Sequence, residues 1–300
     1  MAHPRRVLAA TDLSVPADEA IRQADAWARA AEARLAVCHV LPNPLRANPL
    51  FPELNARMAV AATTLAARAG RELEGRVSAL TGRGPGELEV RVEEGDPLPM
   101  LLRYAEQWDA DLLVVGSHGA SGIQRIMLGS VGDRAVRYAH CSVLVARPQA
   151  RSKRVLAATD LSAASLPAVT EAAGFARRHR ARLSVLHALD SGLSLAAYAA
   201  LEHGGPPLAS LEETGRRARE AAQRSLAETL TRLEVEAEVL VEEGPAAPAI
   251  LRAADRLAAD LVVVGTHGRS GLERLALGSV SETVVRAAAC PVLVVRHGGR

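Results

Sequence analysis

Apolar positions in the first half of the chain alternate between two periods. Short apolar runs at 6–10, 34–41, 88–93, 111–115 and 142–146 predict strands. The segments between them carry apolar residues three and four apart, which predicts helices at 16–31, 53–80, 97–107 and 131–138. In the first of these, Ala20, Ala24, Trp27, Ala28 and Ala31 share a face, and Pro16 is expected in the first turn, where a missing N–H costs nothing. Four prolines, at 42, 44, 49 and 52, mark a loop. The second half repeats the order, with strands expected near 154–158, 182–188, 235–241, 260–264 and 291–296. Unbroken apolar strands alternating with helices call for a parallel sheet covered on both faces. The expected fold is α/β: two tandem doubly wound sheets, each with five parallel strands and helices on both faces.

The repeat is literal in places. Arg6-Val7-Leu8-Ala9-Ala10-Thr11-Asp12-Leu13-Ser14 returns as Arg154-Val155-Leu156-Ala157-Ala158-Thr159-Asp160-Leu161-Ser162. Val115-Gly116-Ser117-His118-Gly119 returns as Val264-Gly265-Thr266-His267-Gly268, and Leu128-Gly129-Ser130-Val131 as Leu277-Gly278-Ser279-Val280. The offset moves only from 148 to 149 between the first match and the later ones, so a whole domain has been duplicated with almost no net insertion. The domains are expected at 1–148 and 153–297, with a short linker between them.

In a doubly wound sheet, ligands bind beyond the carboxyl ends of the strands, where the winding reverses. Thr11-Asp12 follows the first strand and Gly116 the fourth, so both are expected at one crevice. Each half then carries Gly-x2-Gly, nine residues, and Gly-Ser at the start of a helix. Glycines let backbone N–H groups approach an anion closely, and a helix N-terminus presents unpaired N–H groups and partial positive charge. Ser130 and Ser279 could add a hydroxyl or cap the helix. As a purely structural alternative, the glycines turn a loop and the serines are ordinary caps. Two copies in the same strand-to-helix context argue against it.

Composition narrows the function. A net charge of +2 on 300 residues, with 2% aromatic content, offers neither a basic surface nor a stacking platform for nucleic acid. The apolar run at 7–10 is too short for a signal peptide, and no run approaches the ~20 residues of a membrane span. A cytoplasmic protein with no membrane partner is the expectation. Cys38, Cys141 and Cys290 form no disulfide framework or zinc spacing and read as buried thiols. The P-loop and the G-x-G-x-x-G fingerprint are both absent. His118 and His267 lie between motif glycines but have no nucleophile at a recognisable spacing, so they read as loop-shaping or phosphate-contacting residues. The acidic pairs Glu93-Glu94 and Glu242-Glu243 read as solvated strand ends.

The Gly-x2-Gly-x9-Gly-Ser pattern resembles the nucleotide-binding motif of ATP-binding universal stress proteins. The Ala-Thr-Asp-Leu-Ser opening, the Glu94-Gly95-Asp96-Pro97 turn and Pro291-Val292-Leu293-Val294-Val295 strengthen the resemblance, which covers the chain twice. It implies a Rossmann-like fold of the adenine nucleotide alpha hydrolase type. It also implies ATP, with magnesium carried on the phosphates. Ala10, Thr11 and Asp12, with Ala158, Thr159 and Asp160, would meet the adenosine portion. Val40 and Ala188 would hold adenine through their backbone. Val115, Gly116, His118 and Gly119, with Val264, Gly265, His267 and Gly268, would line ribose and phosphates. Gly129, Ser130, Val131 and Gly132, with Gly278, Ser279, Val280 and Ser281, would cradle the phosphate tail.

Two departures stand out: Gly132 removes a possible phosphate hydroxyl, and the second turn reads Gly244-Pro245-Ala246. Unequal sites are therefore expected, and a single empty site would be the second. The implied role is a stress-response regulator acting through conformational or oligomeric change on an unknown protein partner. Its two domains would pair as an intramolecular pseudo-dimer, and the chain itself could form a homodimer. A slow ATPase or nucleotidyl-transfer enzyme, and a nucleotide-free interaction protein, are the alternatives.

Overall fold

The computed structural model describes residues 4–42, 52–84, 86–117, 129–150, 152–189, 208–266 and 277–296, with backbone alone for 52–62 and 208–211. The chain divides into two compact units between Arg147 and Pro148.

In the first unit the order is β1 (Arg6–Thr11), α1 (Asp18–Ala31), β2 (Arg34–Leu41), α2 (Pro52–Thr81), β3 (Glu89–Glu94), α3 (Pro97–Gln107), β4 (Leu112–Gly116), α4 (Ser130–Tyr138) and β5 (Ser142–Ala146). The sheet runs β3-β2-β1-β4-β5, and every pair is parallel. Winding reverses between β1 and β4, which pair side by side from Val7 opposite Leu112 to Ala9 opposite Val114. The second unit holds β6 (Arg154–Ala158), α5 (Leu166–His179), β7 (Arg182–Leu189), α6 (Leu208–Arg232), β8 (Glu238–Glu243), α7 (Ala246–Leu257), β9 (Leu261–Gly265), α8 (Ser279–Ala287) and β10 (Val292–Val295). Its order, β8-β7-β6-β9-β10, and its parallel pairing repeat those of the first. β3 and β8 each have a single strand neighbour among the described residues, and both end in a Glu-Glu pair.

Aliphatic side chains fill both cores. Val7, Leu8 and Ala9 on β1 and Val155, Leu156 and Ala157 on β6 are almost fully buried, as the apolar runs require. Helix α1 buries Ala20, Ile21, Ala24, Trp27 and Ala28, a stripe at helical spacing, against β1 and β4. At the amino end of each sheet one carboxylate gathers backbone donors. Asp111 Oδ2 accepts from the N–H groups of Arg5 (2.7 Å) and Arg6 (3.0 Å), and Asp260 Oδ2 accepts from Lys153 (2.5 Å). The three cysteines are buried and none is in a disulfide.

Three of the boundaries that differ from the sequence expectation have a visible cause. Pro16 lies ahead of α1: Ser14 to Ala17 form a turn, with Ala17 N–H donating to Ser14 O at 3.1 Å, and the helix starts at Asp18. The strand expected from 235 starts at Glu238. Glu234 takes a left-handed φ of 54°, and Val235 N–H turns back to Leu230 O (3.0 Å), so Val235 ends the preceding helix. Finally, α4 and α8 are capped by Gly129 and Gly278, and Ser130 and Ser279 are the first helical residues; neither cap position makes a side-chain hydrogen bond.

Candidate functional site

Each unit opens a crevice at the carboxyl ends of its strands, at the reversal point. The first has a cavity of ≈ 450 Å³ and the second ≈ 370 Å³. Both fall within the size range of small-molecule sites. Ala10, Thr11, Asp12, Val40, Val115, Gly116, Gly129, Ser130, Val131 and Gly132 all line the first. Ala158, Thr159, Asp160, Ala188, Val264, Gly265, Gly278, Ser279, Val280 and Ser281 line the second. Residues far apart in sequence are thus brought to one place in each half. His118, Gly119, His267 and Gly268 lie outside the described residues.

A compact turn follows the first strand of each unit. Asp12 Oδ1 accepts from Ser14 N–H (3.0 Å) and Ser14 Oγ–H (2.5 Å), while Asp160 Oδ1 accepts from Ser162 N–H (3.0 Å) and Oγ–H (2.6 Å). Leu13 and Leu161 N–H groups donate to Thr11 Oγ1 and Thr159 Oγ1 (3.1 and 3.0 Å). This geometry forces both leucines into left-handed backbone, φ 62° and 65°. A branched residue adopts such a φ only at a cost, and the same cost recurs in both halves beside the crevice. One oxygen of each aspartate is committed to holding its own turn.

The opposite wall is the start of α4 or α8. Gly129 N–H donates to Ser117 O (2.9 Å) and Gly278 N–H to Thr266 O (2.8 Å), tying each helix start to the end of β4 or β9. With glycine as the cap, the cap residue itself places no side chain over the first N–H groups of the helix. Such a start presents the positive end of the helix dipole, which suits an anion.

Two residues that the motif reading passed over hold the site together. His39 Nδ1 lies 2.9 Å from Thr11 O, and His187 Nδ1 lies 2.9 Å from Thr159 O. A carbonyl oxygen only accepts, so Nδ1 carries the proton in both. Each histidine is buried and links the second strand of its sheet to the residue before Asp12 or Asp160. Their signal was available in the repeat, since His39-Val40 returns as His187-Ala188.

The floors differ. Cys38 lines the first crevice where Leu186 lines the second. Burial, with the Glu93 carboxylate adding to it, pushes the Cys38 thiol up to about 12, so it stays neutral. Ser281, read from sequence as a phosphate-facing hydroxyl, donates to Gly265 O at 2.6 Å.

No lining residue of either crevice is Arg or Lys among the described residues. Nor do the described residues include a His, Cys, Asp and Glu cluster able to hold a metal ion. No described helix is long and apolar enough to cross a membrane.

Comparison with known proteins gives a consistent picture. The model of the universal stress protein family matches residues 3–147 and again residues 151–296. A universal stress protein of Mycobacterium tuberculosis is 32% identical over 213 residues, which span 67% of this chain and 66% of that protein. This match therefore covers just under two thirds of the relative's length. One from Mycolicibacterium smegmatis is 30% identical over 305 residues, 97% of this chain and 96% of that protein. Among solved structures, a universal stress protein of Archaeoglobus fulgidus aligns with a TM-score of 0.65 at 20% identity, over 98% of this chain and 99% of that one. At that identity the likeness speaks for the fold alone. The family match in each half, set beside the doubled Rossmann-like sheet, means that the chain belongs to the universal stress protein family, with two family domains in tandem.

Proposed function

We propose that each unit binds one adenine nucleotide, ATP with magnesium, and that the chain acts as a nucleotide-dependent regulator in the stress response. The observation that carries this reading is the paired construction of the crevices. In both, a glycine-capped helix start is tied to a glycine-ended strand, across from an aspartate turn. Such a wall suits phosphate oxygens, which backbone N–H groups can approach closely. Apolar residues around Val40 and Ala188 suit the faces of a base, and the open backbone of the second strand suits its edge. Asp12 and Asp160 stand where a carboxylate can accept hydrogen bonds from ribose hydroxyls.

The residues present fit a metal carried by its ligand. Magnesium, when bound, supplies the positive charge that the described lining side chains do not. The helix N-termini and glycine backbones orient the phosphates, and the apolar walls exclude water from the base. Occupancy can regulate only if two states of the chain bind the nucleotide differently.

The test is the nucleotide content of protein purified without added ligand, released by denaturation and separated by chromatography, followed by titration with MgATP. Adenine nucleotide, retained or bound on titration, at up to two per chain is expected. A chain that neither retains nor binds adenine nucleotide, while folded, would sink the reading.

A further inference from the structure

The two crevices are built alike but braced differently. In the second, Ser165 and Thr159 share a hydrogen bond between their hydroxyls (2.8 Å), and Ser165 Oγ–H also reaches Ser162 O (2.9 Å). That fastens the Asp160 turn to the residue that caps α5. On the facing wall, Ser281 Oγ–H donates to Gly265 O (2.6 Å), alongside the Gly278 N–H bond to Thr266 O (2.8 Å). Two bonds therefore join the first turn of α8 to the end of β9. Ser165, Thr159 and Ser281 are all buried, so water competes little for these bonds.

The first crevice has Ala17 and Gly132 at the positions of Ser165 and Ser281. Neither has a hydroxyl to make the corresponding bond, and Gly129 N–H ties α4 to the strand end. Gly132 also sits in the first turn of the helix, where glycine has the most backbone freedom to lose. The cavity is wider too, ≈ 450 Å³ against ≈ 370 Å³, in keeping with Cys38 in place of Leu186 on its floor.

Resting on the nucleotide reading above, we infer that the second unit holds a pre-formed site that fills first, and the first unit a looser site that fills at higher nucleotide concentration. Walls already fixed by folding need not be ordered on binding, so the ligand meets a smaller entropic cost in the second unit. Ser165 and Ser281 are positioning residues, acting through Thr159 and Gly265. This order reverses the one that the Gly244-Pro245-Ala246 turn alone suggests. Two buried neutral hydrogen bonds of ordinary strength correspond to an affinity difference of about tenfold. Such a chain would stay half-loaded over a range of nucleotide levels, and the first unit would report changes above it.

Both tryptophans, Trp27 and Trp108, belong to the first unit, which lets one titration separate the sites. MgATP is added to the full chain, freed of any retained nucleotide, while heat and tryptophan emission are followed together. Two phases are expected, the tighter one silent in emission and the weaker one visible. Ser165→Ala with Ser281→Gly should weaken the tighter phase about tenfold and leave the other in place. The reciprocal Ala17→Ser with Gly132→Ser should tighten the visible phase. Equal affinities, emission that follows the tighter phase, or unchanged affinity in the Ser165→Ala, Ser281→Gly variant would each overturn the inference and leave nucleotide binding intact. No heat from either unit would instead overturn the nucleotide reading, and the order of filling with it. Amide exchange in the ligand-free chain gives an independent reading. Amides from 278 to 282 should exchange more slowly than those from 129 to 133, and the reverse order would overturn the bracing.

Discussion

His39 Nδ1 donates to the carbonyl oxygen of Thr11 at 2.9 Å, and His187 repeats the bond to Thr159 at the same distance. Each bond fixes the last carbonyl before the aspartate turn, and each is buried. His39→Leu would leave that carbonyl unpaired, which costs about 1–3 kcal/mol. The first unit should lose that stability in denaturant unfolding followed by tryptophan emission, and its nucleotide affinity should fall with it. His39→Asn, whose side chain offers an N–H at nearly the same reach, should recover part of both. A leucine variant as stable as the parent would remove the histidine from this role.

Gly95 and Gly244 occupy equivalent turns, and each donates its N–H to the end of the second strand (Leu41 O, 2.9 Å; Leu189 O, 3.1 Å). Both have positive φ, 137° and 103°. A Cβ on Gly95 would also come within 3.0 Å of Met100 Cγ, whereas one on Gly244 would meet open space. Alanine at either position should cost about 1–3 kcal/mol in backbone strain, with Gly95→Ala the more damaging. Thermal unfolding of the two variants compares them directly. An equal loss would mean that Met100 moves aside freely.

A buried thiol and a half-buried imidazole give the units opposite pH sensitivities. The Cys38 thiol is raised from 9.0 to about 12 by burial and Glu93, so the unfolded chain releases its proton first. The first unit should be fully stabilised by this group below pH 9 and lose that stability as pH rises from 9 to 12. Cys38→Ala should make the alkaline limb shallower, leaving the part that comes from Tyr104, which burial and its bond to Glu89 also raise above 10.0. In the second unit, burial and then Arg178 lower His179, which stacks on Phe175 with ring centroids 4.0 Å apart. The unfolded state then binds the proton more readily, so stability is complete above about pH 6.5 and declines as pH falls below it. Urea unfolding between pH 5 and 8 should show this slope, and His179→Phe should abolish it.

Asp18 accepts from Arg76 Nε (2.6 Å) and Nη2 (3.1 Å), and seven residues on Asp25 accepts from Arg83 Nε (2.5 Å) and from Arg29 Nε (2.9 Å). Arg76 lies on α2 and Arg83 two residues past its end, so the two contacts pin α1 to α2 and to the segment that follows it. Leu166 and Ala173 stand at the α5 positions of Asp18 and Asp25, so the second unit lacks these carboxylates. Asp25→Asn should destabilise the first unit by about 1.5–3 kcal/mol and leave the second unchanged. Limited proteolysis would separate the halves, and a loss shared equally between them would contradict the pairing.

Much of this was readable in the sequence because strands such as β1, β4 and β9 are nearly unbroken apolar runs and the helices keep strict periodicity. The Asp12 turn and the Gly129-Ser130 start are separated by more than a hundred residues, yet one topological rule places both at the winding reversal. What escaped were facts about direction. Ser281 reads as a hydroxyl for phosphate, but its place in the first helical turn brings Oγ to the Gly265 carbonyl. Ser130 and Ser279 have the composition of caps and the register of first helical residues, a difference of one position that only backbone geometry decides. Val235 has a strand former's side chain, and the helix end captured its N–H. His39 sits inside an apolar strand, where composition alone gives no reason to ask what its ring holds.

The outer strands β3 and β8 have a consequence for solubility. A strand with one neighbour offers its open N–H and C=O groups to any similar strand, including that of another copy. These two read Glu-Val-Arg-Val-Glu-Glu and Glu-Val-Leu-Val-Glu-Glu, so two identical edges approaching each other would bring carboxylates together. The repulsion guards the sheet ends as long as those carboxylates stay charged. Heat leaves that guard in place, whereas acid strong enough to neutralise it turns each end into a template for the next chain. Acid is therefore the stress most apt to make this protein aggregate while its cores are still folded.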